Sequence, residues 1–382
     1  MASTQVRIVR DWDELAPYRT AWNELARRSV TASIFQTFEW HDAWWASFGA
    51  SAGTPAVVLL FEGDRLVAIA PLHRYRRGRR NVVGFIGNSN SASDYCDFIT
   101  DRDELVAPML DELLARRDWD VLDLGNVPSQ SPCLRAASDW ADARARPTID
   151  VTQFPAPTRV LGDVEADRAC LNKKSLKRHF NGFARSGNLR FHHSTDAGEI
   201  ESSLDDFFRQ HAERWALTGR ESQFAQESQR DFYRRLVPAL LANDWLRFAI
   251  VALDDRPIAY HFGFEYANRF IWYKPTFEAS LVKKSPGEVL LRFLLEDAMN
   301  RGLAEFDFTV GDEDFKYRFA NLVRETRRLR VYRRARDQRA DRLQAWLRRR
   351  GRRVLNRLSR KGERASEASA ASEAPAEASA PT

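Results

Sequence analysis

Residues 306–319, FDFTVGDEDFKYRF, crowd Asp312, Glu313 and Asp314 against Lys316, Tyr317 and Arg318. Like charges bunched this way raise at least one carboxyl pKa. A raised carboxylate suits a general base that takes a proton from an attacking amine. Asp312 and Glu313 are the candidate bases, Tyr317 is a candidate acid for a leaving group, and Lys316 and Arg318 are close enough to offset the acids. On a strand, Phe306 and Phe308 face one side and Asp307 the other, so Asp307 needs a partner or water. Gly311 then permits a turn or a close approach. The plain alternative is an exposed, salt-bridged turn of little energetic weight.

A second group precedes it. Ser285-Pro286-Gly287-Glu288 reads as a helix start: Ser285 as cap, Pro286 in the first helical position, Glu288 completing a capping box. Helix N-termini favour anions through free N–H groups and the helix dipole. Gly287 admits close approach, and Lys283 and Lys284 add Coulomb attraction. Capped helix starts are common, and many bind nothing. In AYHFGFEY at 259–266, alternation sets His261, Gly263 and Glu265 on one side of a strand, where they can line an acceptor pocket; a lone strand histidine is more often structural. Cys96, Cys133 and Cys170 form no CxxC, and the seven histidines include no HExxH. A metal site or a disulfide framework is therefore not expected, and no cysteine stands in a nucleophile setting. His192 and His193 read as surface residues on opposite faces of a short strand.

An internal echo supplies the elements that position these residues. Residues 56–75, AVVLLFEGDRLVAIAPLHRY, and 247–266, RFAIVALDDRPIAYHFGFEY, are both hairpin signatures. Each is followed by a helical segment (103–116 and 286–301) and a strand (119–127 and 303–312). The repeated order predicts two related domains, 1–155 and 156–335, with PAPTRVL at 155–161 as linker. The helical pattern at 35–49 carries Trp40, Trp44 and Phe48 on one face, which reads as a core stripe. Helical residues 163–186 present Lys173, Lys174, Lys177 and Arg178 on one side, either a solvated face or an anion-binding strip. Residues 325–334 suit a final edge strand.

The net charge of +6 is unevenly spread. Residues 324–361 hold 17 basic and 3 acidic side chains, net +14, which leaves the rest at 6 − 14 = −8. The body is thus mildly acidic, and a nucleic-acid reading of the whole chain loses its support. Residues 336–361 suit a basic amphipathic helix that can lie on an anionic membrane surface or dock a partner. Residues 362–382 are low-complexity Ala, Ser, Glu and Pro, read as a disordered tail. No run of 18 apolar residues appears and the N-terminus lacks a signal-peptide core, so a cytoplasmic protein is expected, with a peripheral contact at the inner membrane through 336–361.

The motifs at 35–49, 247–266 and 285–319 together resemble the acyl-CoA N-acyltransferase (GNAT) superfamily. More narrowly they resemble its bacterial CelD-like, BioF2-like acetyltransferase family, related to the Fem peptidyltransferases. The resemblance spans roughly residues 5–335. It implies an α+β fold of two tandem GNAT-like domains, each a mixed, mostly antiparallel sheet flanked by helices. It also implies that acetyl-CoA or another acyl-CoA enters between two central strands of the second domain. Lys283, Lys284, Ser285 and Gly287 would hold its pyrophosphate, although Lys-Lys-Ser-Pro-Gly departs from the superfamily's Q/R-x-x-G-x-G/A and supplies fewer amides. Asp312 or Glu313 would be the base and Tyr317 the acid for the thiolate. His261, Tyr273, Asp307 and Lys316 would meet the acceptor, an amine or hydroxyl on a sugar or on a cell-envelope or exopolysaccharide precursor. Two other readings stay open: Fem-like transfer of an aminoacyl group from a charged tRNA, and a non-catalytic scaffold that docks a polysaccharide synthase at the inner membrane.

Overall fold

Runs of β-branched and aromatic residues bounded by glycine or acidic turns become strands, and both predicted hairpins form. The computed structural model describes residues 4–88, 92–348 and 350. The first half contributes β1 (Thr4–Val9), β2 (Thr54–Pro55), β3 (Val57–Glu62), β4 (Arg65–Ala70), β5 (Leu72–Arg77), β6 (Arg80–Phe85) and β7 (Val121–Pro128). Strand β8 (Thr148–Val160) runs from the first half into the second, which contributes β9 (Leu189–Ser194), β10 (Leu246–Leu253), β11 (Arg256–Tyr266), β12 (Arg269–Phe277), β13 (Glu305–Asp307) and β14 (Leu322–Tyr332). Strands β1, β3 and β4 form a small sheet, and the others form one 11-stranded sheet in the order β2-β5-β6-β7-β14-β8-β13-β12-β11-β10-β9. The fold is mixed α+β with helices on the sheet faces, as expected.

The echo survives in three dimensions. In each half a helix crosses over between two parallel strands: Val106–Ala115 between β6 and β7, and Pro286–Asn300 between β12 and β13. Parallel pairing needs such a crossover. The last strands are then exchanged. β8 leaves the first half to pair with β13, while β14 returns from the second half to pair with β7, and the two lie against each other from Leu322↔Thr158 to Val331↔Thr148.

Two expectations are corrected here. The segment 155–161 is no linker: residues up to Val160 belong to β8, in the middle of the large sheet. Pro155 and Pro157 are tolerated because they lie beyond the last β13 pair, Asp307↔Thr158, so their missing N–H groups break no ladder bond. Their carbonyls accept from Gly311 N (2.9 Å) and Phe308 N (3.1 Å). The segment 325–334 is no edge strand either, since β14 is paired on both sides. The helical stretch 163–186 divides into Val164–Leu171 and Lys174–Ser186.

The helix Phe38–Ala52 is capped by the Thr37 hydroxyl, which accepts from Trp40 N. Trp40, Trp44 and Phe48 are buried, the predicted core stripe. Its partners come from the second half: Trp40 meets Phe232 edge-on at 5.2 Å and Phe264 at 5.6 Å, and Phe48 meets Phe232 at 5.5 Å. Aromatic pairs of this kind add about 0.5–1.5 kcal/mol each beyond area burial, so the halves share one core. A further helix covers 335–348. The rest of the expected basic helix and the tail at 362–382 lie outside the described residues.

Candidate active site

Strands β12 and β13 run parallel from Arg269↔Glu305 to Ile271↔Asp307 and then part. Thr309 stands in the fork. It is β-branched yet has φ +57°, a left-handed conformation that costs such a residue on the order of 1–3 kcal/mol. Three neighbours hold it there. Its N–H donates to Asp307 Oδ1 (2.8 Å), its hydroxyl donates to Trp272 O (3.2 Å), and Asp94 of the first half lies within hydrogen-bonding reach.

Charged groups converge on this point from both halves. Asp94 and Lys316 are buried, and Lys274 is half-buried with its ammonium 4.1 Å from the centre of the Tyr273 ring. Lys316 donates to Val310 O (2.9 Å) and pairs with Glu313 (2.9 Å). An ammonium has three protons, and two of them are engaged here among the described residues. Burial raises the Asp94 carboxyl above its ordinary range, although Lys274, Lys316 and the Thr309 hydroxyl pull it down. Burial also lowers the Lys274 ammonium; Lys316 and Arg214 push the same way, while Asp94 and Glu313 oppose. Gly311 makes the arrangement possible. A Cβ there would lie 2.2 Å from Glu313 Oε2 and 2.6 Å from Lys316 Nζ, and the backbone has φ +143°.

A cleft of about 530 Å³ opens beside the cluster, lined by Arg214, Trp215, Phe277, Val282, Glu313 and Phe315 among others. It offers an apolar wall with one carboxylate, of Glu313, and two guanidinium groups, of Arg214 and Arg220. Behind it, His211 is held neutral, its pKa lowered to about 2 by burial, with Arg214 and Lys274 adding to the shift.

The sequence-predicted residues divide between this cluster and other places. Lys316 and Glu313 belong to the cluster. Asp307 faces away from Phe306 and Phe308 and finds its partner, the Tyr95 hydroxyl at 2.9 Å. Asp312 and Tyr317 remain on the surface, bonded to each other at 2.6 Å, and that bond raises the Tyr317 hydroxyl to about 12. A phenol that already donates to a carboxylate is a poor acid, and neither group reaches the buried charges. His261 does not line an open pocket: it is fully buried, stacked on Trp272 at 4.9 Å, and accepts from Tyr273 N (3.1 Å). Tyr273 is likewise buried, its hydroxyl donating to Ala92 O (2.5 Å).

The expected capping box is absent. Ser285 is left-handed (φ 57°) and makes no side-chain cap, and Glu288 is engaged by His179 and Arg318, each at 3.0 Å. The space that Gly287 leaves is taken by the Phe277 ring, 3.2 Å from where a Cβ would sit. Lys283 and Lys284 turn instead to a cleft of about 340 Å³ shared with Arg178, His179, Phe183 and Ser186. Lys173, Lys174, Lys177 and Arg178 are all exposed nearby. His192 and His193 pair with Glu199 and Asp297; His192 is exposed, as the plain reading had it, whereas His193 is no surface residue and packs edge-on against Phe191 at 5.2 Å.

Asp94, Lys274 and Thr309 were missed. Lys274 left a trace, a lysine inside the aromatic run FIWYKPTF. Asp94 comes into place only through contact between halves, and a left-handed threonine has no sequence signature.

Comparison with known proteins bears on the fold and on the second half of the chain. Residues 172–317 match the family described as acetyltransferase (GNAT) domain, a span that contains Lys274, Thr309, Glu313 and Lys316. Among curated proteins none matches significantly. Among solved structures, FemX is similar with a TM-score of 0.58 at 9% identity, covering 85% of this chain and 96% of its own. A conserved protein of unknown function from Bacteroides thetaiotaomicron VPI-5482 gives 0.55 at 13% identity, covering 86% and 100%. The C-terminal domain of a putative lysylphosphatidylglycerol synthetase from Agrobacterium fabrum gives 0.52 at 13%, covering 85% and 94%. At such identities these likenesses speak for the fold. Over residues 172–317 this chain is similar to GNAT-type acetyltransferase domains, a kind of domain that uses acyl-CoA as co-substrate.

Proposed function

We propose that this protein moves an acyl group, acetyl in the first instance, from acyl-CoA to an amine or hydroxyl of a sugar or of a cell-envelope or exopolysaccharide precursor. The observation that carries the reading is the buried charge cluster at the β12/β13 fork: a carboxylate with a raised pKa beside two ammonium groups, next to an apolar-walled cleft. Burying charge is costly, and groups with shifted pKa cluster at functional sites.

The chemistry follows from the geometry. The acceptor nitrogen or oxygen attacks the thioester carbonyl carbon, and the carbonyl π pair moves to oxygen. Lys316 and Lys274 stabilise that oxyanion electrostatically. Asp94 takes the acceptor's proton, for which a raised pKa suits it. Collapse re-forms the C=O bond, expels the thiolate, and the proton passes to sulfur. Holding both reactants at one fork supplies the remaining rate gain. Lys283 and Lys284 are placed to attract the donor's phosphates from the neighbouring cleft.

The test is acceptor-dependent thiol release from acetyl-CoA over a panel of amino sugars and polyols. Lys316→Ala is expected to lower the rate about a hundredfold and Asp94→Asn at least about tenfold. Asp312→Asn and Tyr317→Phe are expected to stay within about twofold of wild type, since surface pairs carry little weight. Equal rates in all four variants would remove the fork from the reaction. A second reading, transfer of an aminoacyl group from a charged tRNA, is supported by the exposed Lys173, Lys174, Lys177 and Arg178 beside Lys283 and Lys284. It requires turnover with that donor, none with acetyl-CoA, and a steep loss with salt.

A further inference from the structure

The helix at 335–348 is fastened to the body by one face only. Asp341 pairs with Arg80 and accepts from the Tyr332 hydroxyl (2.7 Å), Asp337 pairs with Arg80 (3.5 Å), and Gln338 Nε2 donates to Thr148 O (2.6 Å). At 100° per residue these three anchors share a side. The opposite side carries Leu343, Trp346 and Leu347, which are 57%, 53% and 52% exposed. Arg336, Arg339 and Arg342 are exposed around them, and the Arg350 guanidinium lies 5.3 Å from the centre of the Trp346 ring. Beside the helix a cleft is lined by Arg77, Arg79, Arg80, Arg330 and Arg348.

We propose that this face docks on an anionic lipid surface, with Leu343, Trp346 and Leu347 entering the interface and the arginines meeting headgroup phosphates. Three features select that occupant. Large apolar side chains held outward by an anchored helix lose water contact only against an apolar phase. Tryptophan prefers the headgroup level, and arginine can bury its stem while its charge stays in water. The surround is cationic, and the sequence that follows, GRRVLNRLSRK at 351–361, holds five further basic and no acidic residues. A second copy of this chain would set arginine against arginine, and a nucleic acid would leave the two leucines without an apolar partner.

The experiment is flotation of the full chain with vesicles of phosphatidylcholine alone and of phosphatidylcholine with phosphatidylglycerol, alongside light scattering for self-association. Wild type is expected to float only with the anionic vesicles, with a blue shift of tryptophan emission. The triple variant Leu343→Ser/Trp346→Ser/Leu347→Ser leaves the anchors intact and should bind about tenfold more weakly or worse. Arg336→Gln/Arg339→Gln should weaken binding by a smaller factor and flatten its salt dependence. Several outcomes overturn the proposal: no flotation of wild type, equal binding by wild type and the triple variant, release of the vesicles by RNA, or a concentration-dependent dimer abolished by the triple variant. Thiol release in solution should be unchanged in the triple variant, so this docking and the transferase reading can fail separately.

Discussion

Thr309 carries more information than any residue the sequence offered. A left-handed, β-branched residue persists only where its surroundings over-determine it, and here Asp307, Trp272 and Asp94 do so. Thr309→Gly relieves the strain but deletes the hydroxyl. Its stability, measured by urea titration, should therefore stay within about 1 kcal/mol of wild type, while thiol release falls. A second buried acid makes a pH prediction. Burial raises Asp97 from 3.8 to about 6, against hydrogen bonds from Ser131, Thr31 and Phe98 N. The folded state thus holds this proton more tightly than the unfolded chain. The contribution is fully present below about pH 3.8 and is lost as pH rises through about 6, roughly 3 kcal/mol in all. Urea midpoints of wild type and Asp97→Asn should therefore converge at acid pH and separate in favour of the variant near neutrality; a constant gap would contradict it. Sequence could find Lys316 and Glu313, which are local and charged. It could not separate them from Asp312 and Tyr317, because the buried Lys316 takes Glu313 as its partner while Asp312 bonds Tyr317 on the surface, and that choice of partner is not written in the sequence.

At the scale of elements, periodicity was legible and pairing was not. The 3.6-residue stripe of Trp40, Trp44 and Phe48 and both hairpins are visible in the order of residue types. What the stripe packs on is not, since Phe232 and Phe264 lie more than 180 residues away. Trp40→Ala should cost about 3–5 kcal/mol and loosen the seat of the second half's helices; calorimetric melting reads the loss. Proline misled the linker reading of 155–161. The rule that proline avoids central strands has an exception where the neighbouring strand has already ended, and that ending cannot be seen from the proline itself.

Across the whole molecule, β8 and β14 trade places between the halves, so neither half closes its sheet alone. The chain should unfold in urea with coincident transitions by fluorescence and circular dichroism, and residues 156–335 expressed alone, without β7 and the start of β8, should not reach a native fold. A stable isolated fragment would contradict the exchange. The same exchange sets Asp94 of one half against Lys274, Thr309 and Lys316 of the other, which ties the reaction to the joint between them. The most direct measurement of that claim is acceptor-dependent thiol release from acetyl-CoA by wild type and by Lys274→Ala/Lys316→Ala, with circular dichroism to confirm that both are folded. Release by wild type, and a kcat lowered about a hundredfold or more in the variant, is the predicted result; equal rates, or no release by wild type with any acceptor, would contradict it.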